Sequence, residues 1–106
     1  MSAYAIGLLK DVVFGPEIVN YLERIDETLK PYHGRFLIHG ERPEVLEGKP
    51  QEDVVVIAFP DIDHARQWYR SPAYQDILPL RVRNSSSTVF LVDGLPDHHL
   101  ATDILR

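Results

Sequence analysis

Asp53-Val-Val-Val-Ile-Ala-Phe-Pro60 is the stretch that decides the fold. Val54 to Phe59 are apolar without a break, so they do not alternate between a wet face and a dry one. The run is too short for a buried helix and is rich in β-branched residues. It reads as a strand covered on both faces.

Working outward, Pro60 closes this strand and Asp61 is a natural helix N-cap, with Asp63 in the first turn. Ile62, Ala65, Trp68 and Tyr69 then form the buried stripe of a helix of about ten residues. Ser71-Pro72 restarts a helical turn that presents Tyr74, Ile77 and Leu78 and is predicted to stop at Pro79. Ser85-Ser86-Ser87 reads as loop, and Thr88 to Asp93 as a strand ended by Gly94. On the N-terminal side, Gly34 to Gly40 is a strand. Glu41 to Asp53 is a polar arm in which Val45-Leu46 can extend the pairing before a turn at Gly48. Before that, Ile18, Tyr21, Leu22, Ile25 and Leu29 recur at helical spacing behind Pro16, which predicts a four-turn amphipathic helix that Pro31 terminates. Ala3 to Val13 reads as the first strand, apolar through Leu9.

At 106 residues the chain suits one domain, over 1–94, followed by a tail over 95–106. A 44% apolar, 25% charged composition is that of a folded protein. The net charge of −5 argues against nucleic acid, which needs a basic stripe. With no cysteine there is no disulfide framework, thiolate nucleophile or Cys-ligated metal. The apolar start Ala3 to Leu9 is too short for a membrane span and has no basic lead-in, so a cytoplasmic location is expected.

The order β-α-β-β-α-β, with right-handed crossovers and one central hairpin, is most economically an α+β fold with a four-stranded antiparallel sheet of order 4-1-3-2. Both helices then cover one face. The other face would expose more apolar side chain than a monomer tolerates, and a second copy packed sheet against sheet is the simplest cover.

The residues that fill this frame resemble a known family. They are Tyr4-Ala-Ile, Pro31-Tyr-His-Gly-Arg-Phe-Leu37, Gly40, Val45-Leu-Glu-Gly48, Val54 to Pro60, Ala65-Arg-Gln-Trp-Tyr-Arg-Ser-Pro-Ala-Tyr-Gln75 and Leu78-Pro-Leu-Arg81. Over 3–94 they are similar to the bacterial family called domain of unknown function 1330. The resemblance implies a ferredoxin-like fold assembled as a dimeric α+β barrel, and it implies no particular activity. The chain departs from the family pattern at the end of the second strand. His39-Gly40-Glu41 stands where an arginine and two glycines are usual. A histidine there holds an anion only when protonated, near or below a pH of about 6.5.

Barrels of this kind hold ligands in a pocket between the sheet and the helices or in the barrel interior. Strict alternation places His39 with Arg35 and Leu37, as a candidate general base. Glu47 in the arm is a candidate acid–base partner. Arg81 can clamp a carboxylate with its planar fork, or pair with Glu47 or Asp76 as structure. Trp68, Tyr69 and Tyr74 cluster on the second helical segment, as core or as ligand contacts, and Tyr4 can point into the same volume. The five histidines show no metal-ligand spacing, and no phosphate loop or nucleophile elbow is present, so no metal or cofactor is expected. Three functions stay open. One is a cofactor-free enzyme of oxygenase or isomerase type acting on a small organic molecule. The others are a non-catalytic small-molecule-binding module and a purely structural dimer. An enzyme needs a roomy cavity where His39 or Glu47 meets Arg81, whereas in a structural dimer Trp68, Tyr69 and Leu80 fill that volume.

Overall fold

A computed structural model describes residues 2–49 and 53–105. Its strands are β1 (Ala3–Lys10), β2 (Arg35–Glu41), β3 (Asp53–Phe59) and β4 (Ser86–Asp93). Its helices are α1 (Pro16–Leu29), α2 (Ile62–Arg70) and α3 (Pro72–Val82). The sheet runs β2-β3-β1-β4 with every pair antiparallel, which is the expected order read from the other edge. The two most uniformly apolar strands, β1 and β3, are the central ones.

Along β1 the two faces differ in size as well as in burial. Ala3, Ala5 and Gly7 are buried, while Tyr4, Ile6 and Leu8 alternate with them and are half-buried. The small residues look toward the helices. The large ones share the opposite face with Val54 and Val56 of β3 and Phe90 and Val92 of β4. The charges on that second face are peripheral: Arg35 and Glu41 on edge strand β2, and Lys10 at a strand end.

Between sheet and helices, an aromatic core holds the layers at their spacing. Trp68 packs against Phe59 and Tyr74, with ring centroids 5.4 and 4.2 Å away. Its indole N–H donates to Thr28 Oγ1 at 3.0 Å, and Thr28 in turn donates to the Ile25 carbonyl at 2.7 Å. These bonds pin α2 to α1 with no buried polar side-chain atom left unpaired among the described residues. The break between α2 and α3 is at Ser71, which precedes a proline and is therefore extended. Its hydroxyl donates to the Trp68 carbonyl at 2.7 Å, closing α2, and accepts from the Tyr74 N–H at 3.2 Å, opening α3.

Five local expectations need correction. First, β1 ends at Lys10 rather than Val13, because Asp11 turns to φ 52° and the Val13 N–H bonds to the Asn84 carbonyl at 2.8 Å. Second, α3 passes through Pro79 to Val82. Proline forfeits one N–H bond there, but Tyr74, Ile77 and Arg81 are all buried along the same helix, and the Pro79 carbonyl still accepts from Arg83 N–H. Third, Ser86 and Ser87 belong to β4, paired with Lys10 and Leu9. Fourth, Val45-Leu46 extends no pairing, and Leu46 is 86% exposed. Fifth, β2 is bulged between Phe36 and Ile38, and again between His39 and Glu41, where Gly40 takes φ 81°. Each bulge adds one unpaired residue and reverses the alternation beyond it. His39 therefore leaves the side of Arg35 and joins Phe36 on the helix side. Its ring stacks on Phe36 with centroids 4.2 Å apart.

Gly34 and Gly7 carry opposite steric loads. A Cβ at Gly34 would sit 2.7 Å from Phe59 and 2.8 Å from Leu29, both fully packed, whereas one at Gly7 would meet nothing closer than 3.7 Å. Gly34→Ala is expected to cost about 1–3 kcal/mol. Gly7→Ala is expected to be neutral or to stabilise by up to about 1 kcal/mol, because it lowers the entropy of the unfolded strand. Urea denaturation at one fixed protein concentration checks both.

Candidate functional site

Because β1 shows only Ala5 and Gly7 to the helices at its middle, and Tyr21, Trp68 and Tyr74 prop α1 and α3 away, the layers do not close. A cavity of about 350 Å³ remains between them. Its floor is the inner face of β1, β3 and β4 (Ala5, Gly7, Val55, Ile57, Val89), and α1 roofs it with Ile18, Tyr21, Leu22 and Ile25. Val12 and Phe14 of the β1–α1 loop, His39, Gly40 and Asp53 also line it, at the end of the sheet where β1 stops and β3 starts.

One wall is polar. The Tyr21 and Tyr74 hydroxyls are 2.8 Å apart, on rings set edge to face. Arg81 lines the same cavity, is 8% exposed, and donates from Nη1 to Ser87 Oγ at 2.6 Å. None of the ion pairs among the described residues includes it; Asp76, one partner expected from sequence, pairs with Arg24 instead. Burial and the adjacent Tyr74 push the Tyr21 phenol far above its usual value, more than the Arg81 charge lowers it. For Arg81 burial works against the cation, but the Tyr74 and Tyr21 oxygens together outweigh it and hold its pKa above the usual arginine value. The wall thus presents a permanent cation beside two phenols in hydrocarbon surroundings, an arrangement able to bind and orient one anionic oxygen group.

The C-terminal end of α3 is held in place from outside the cavity. Arg83 pairs with Glu17, and Asn84 Nδ2 donates to Glu17 at 3.0 Å and to the Leu80 carbonyl at 2.7 Å. The Arg83 and Asn84 hydrogen bonds keep the Glu17 carboxyl below its ordinary pKa. This cluster fastens the start of α1 to the end of α3 beside Arg81.

Of the candidates read from sequence, His39, Trp68, Tyr74 and Arg81 are brought together around this one volume. Tyr69 packs against the core behind Trp68 and Tyr74 and does not line it. Tyr4 lies on the opposite face of the sheet, paired with Ala58 and Val92, and Glu47 is exposed in the arm. Three residues that line or support the cavity, Tyr21, Asp53 and Ser87, are not among those candidates. Tyr21 reads in the sequence as one more member of the α1 apolar stripe. The available signal is in β1, where Ala3, Ala5 and Gly7 alternate with Tyr4, Ile6 and Leu8 and announce a thin inner face.

Among the described residues, no group of three or more His, Asp or Glu is placed to hold a metal ion, and no helix is long and apolar enough to cross a membrane. Residues 2–95 match the family model described as domain of unknown function (DUF1330). The chain belongs to the DUF1330 family.

No curated protein matches this DUF1330 chain. Among solved structures it is similar to a protein of unknown function from Rhodopseudomonas palustris, at TM-score 0.67 and 15% identity over 90% of this chain and 83% of that one. A dimeric ferredoxin-like protein of unknown function from Jannaschia sp. CCS1 aligns at TM-score 0.62 and 13% identity, covering 89% of this chain and 100% of that one. SnoaB, a cofactor-independent oxygenase from Streptomyces nogalater, aligns at TM-score 0.58 and 14% identity, covering 92% and 96%. At such identities the likeness establishes the ferredoxin-like fold of this DUF1330 chain.

The raised phenol of Tyr21 has a consequence for stability. The unfolded chain loses this proton near pH 10, whereas the folded chain keeps it well above that value. Stability from this group is therefore complete below pH about 10 and declines as the pH climbs beyond it, by up to about 1.4 kcal/mol per pH unit. Alkaline denaturation of Tyr21→Phe is expected to show a shallower decline than the unsubstituted protein. An identical slope would mean that the phenol is not held in its neutral form.

Proposed function

We propose that this DUF1330 chain acts as a homodimer in which each protomer holds a small organic molecule in the cavity between sheet and helices. The observation that carries the reading is the unfilled volume of about 350 Å³ with Arg81 and the Tyr21–Tyr74 pair on its wall. A purely structural dimer would have Trp68, Tyr69 and Leu80 fill that space. Trp68 forms only part of its lining, and Tyr69 and Leu80 pack elsewhere against the core. Apolar walls around an empty volume forgo dispersion contacts that an occupant restores.

Within this reading, Arg81 and the Tyr74 hydroxyl orient the ligand and His39 is the candidate general base. Catalysis without metal or organic cofactor, of oxygenase or isomerase type, agrees with the fold shared with SnoaB, a cofactor-independent oxygenase. Binding without turnover needs only the Arg81 wall, and His39 separates the two readings. Calorimetry with indole as a neutral probe is expected to show one site per protomer, and Gly7→Val, which places methyls in the cavity, to weaken it at least tenfold. Indole affinity unchanged by Gly7→Val would refute the cavity as the site. For a ligand that copurifies and is identified by native mass spectrometry, His39→Ala is expected to spare binding and abolish any turnover.

The dimer rests on the second face of the sheet. Tyr4, Ile6, Leu8, Val54 and Val56 run across its centre, and Ile38, Phe90 and Val92 are each at least 40% exposed in the single chain. A contiguous apolar face of this kind is a protein interface in a water-exposed molecule, and the Jannaschia protein of the same fold is dimeric. Light scattering at micromolar concentration is expected to give twice the 12.2 kDa chain mass, with Phe90→Asp shifting the protein toward monomer. A monomeric unsubstituted protein would remove the dimer.

A further inference from the structure

We infer that the ligand is a monocarboxylate of about a dozen non-hydrogen atoms, otherwise apolar, bound with its acid group on Arg81 and the adjoining tyrosine pair. This inference rests on the cavity reading above and adds the chemical class of the occupant.

Charge comes first. Arg81 is 8% exposed, and Ser87, to which its Nη1 donates at 2.6 Å, is a neutral hydroxyl. A guanidinium has five N–H donors, and taking such a cation out of water is costly unless an anion accompanies it. The ion pairs among the described residues do not supply one. A carboxylate matches the planar fork and accepts two parallel bonds.

The two phenols offer a matching donor. Tyr21 and Tyr74 share one hydrogen bond at 2.8 Å. Two hydroxyls joined by one bond leave one O–H free to donate, so the pair offers a donor to an acceptor beside Arg81. The protonated form of Tyr21 is favoured by burial, so Tyr21 does not itself become an anion that would replace the ligand.

Most of the remaining lining is hydrocarbon, to which His39 and Ser85 add polar atoms. Ala5, Gly7, Ile18, Leu22, Val55 and Val89 give hydrocarbon contact alone. At about 30 Å³ per water in the liquid, 350 Å³ is space for about a dozen non-hydrogen atoms. Asp53 also lines the cavity, on β3, two strands away from the Ser87 that receives Arg81. Its carboxylate opposes a second negative charge on a ligand long enough to reach it, which favours a monoanion over a dianion.

The test uses the unsubstituted protein and matched probes measured by calorimetry at neutral pH: octanoate, octanamide and suberate, together with 3-phenylpropanoate and 3-phenylpropanamide. Each monocarboxylate is expected to bind at least tenfold more tightly than its amide, the range of one charge-assisted contact, and octanoate more tightly than suberate. Arg81→Gln is expected to bring the acids to the affinity of the amides. Should that variant not fold, the acid–amide comparison stands without it. Amides that bind as well as the acids, with both weakened by Gly7→Val, would overturn the carboxylate class and leave the cavity reading intact. Binding of indole with no binding of any acid would do the same. Suberate matching octanoate would overturn the preference for a single charge. If neither indole nor any acid binds, the cavity reading falls and this inference with it.

Discussion

Everything in this molecule depends on the unequal faces of β1. A strand must send successive side chains to opposite sides, and this one sends Ala3, Ala5 and Gly7 to the helices and Tyr4, Ile6 and Leu8 away from them. The helix layer is held at a distance set by large aromatic rings, since Trp68 cannot sink toward the sheet beyond contact with Phe59, and Tyr74 packs on Trp68 and on Tyr21 of α1. Small residues beneath a fixed roof leave a void. Large residues on the reverse leave an apolar face. The cavity and the apolar second face therefore come from one pattern in one strand.

A void and a buried cation both cost stability, and the surrounding structure offsets those costs locally. The cavity walls are braced by bonds that do not enter it: Trp68 to Thr28, Ser71 to both of its neighbouring helices, and the Glu17 cluster that ties α1 to the end of α3. Arg81 donates to the Ser87 hydroxyl and lines the same cavity as the tyrosine pair, and none of the ion pairs among the described residues includes it. A protein that only needed a stable core would do better with a hydrophobic residue at that position.

The fold was legible because its strongest signals are local and periodic. Unbroken apolar runs at 3–9 and 54–59, the Pro16 and Ser71-Pro72 helix starts and the 3.6-residue stripe of α1 each specify an element from a few neighbouring residues. Sheet order then followed from connection rules rather than from any residue. Errors arose where a distant contact outweighs a local preference. Pro79 is a helix breaker by propensity, yet α3 runs on because Ile77 and Arg81 are buried beyond and around it. Val45 and Leu46 look like strand residues and find no partner strand.

By itself, then, the sequence determined the element types and the apolar second face, which follow from side-chain size, polarity and backbone preference, and, with the connection rules, the sheet order. Only the tertiary structure decided which groups meet. The bulge in β2 turned His39 to the helix side, the packing of α1 on α3 brought Tyr21 against Tyr74, and the folding of the chain left Tyr4 and Glu47 outside the cavity. A bulge or a contact between residues fifty positions apart has no periodic trace in the sequence, because it is fixed by how whole elements pack and not by the preferences of any one of them.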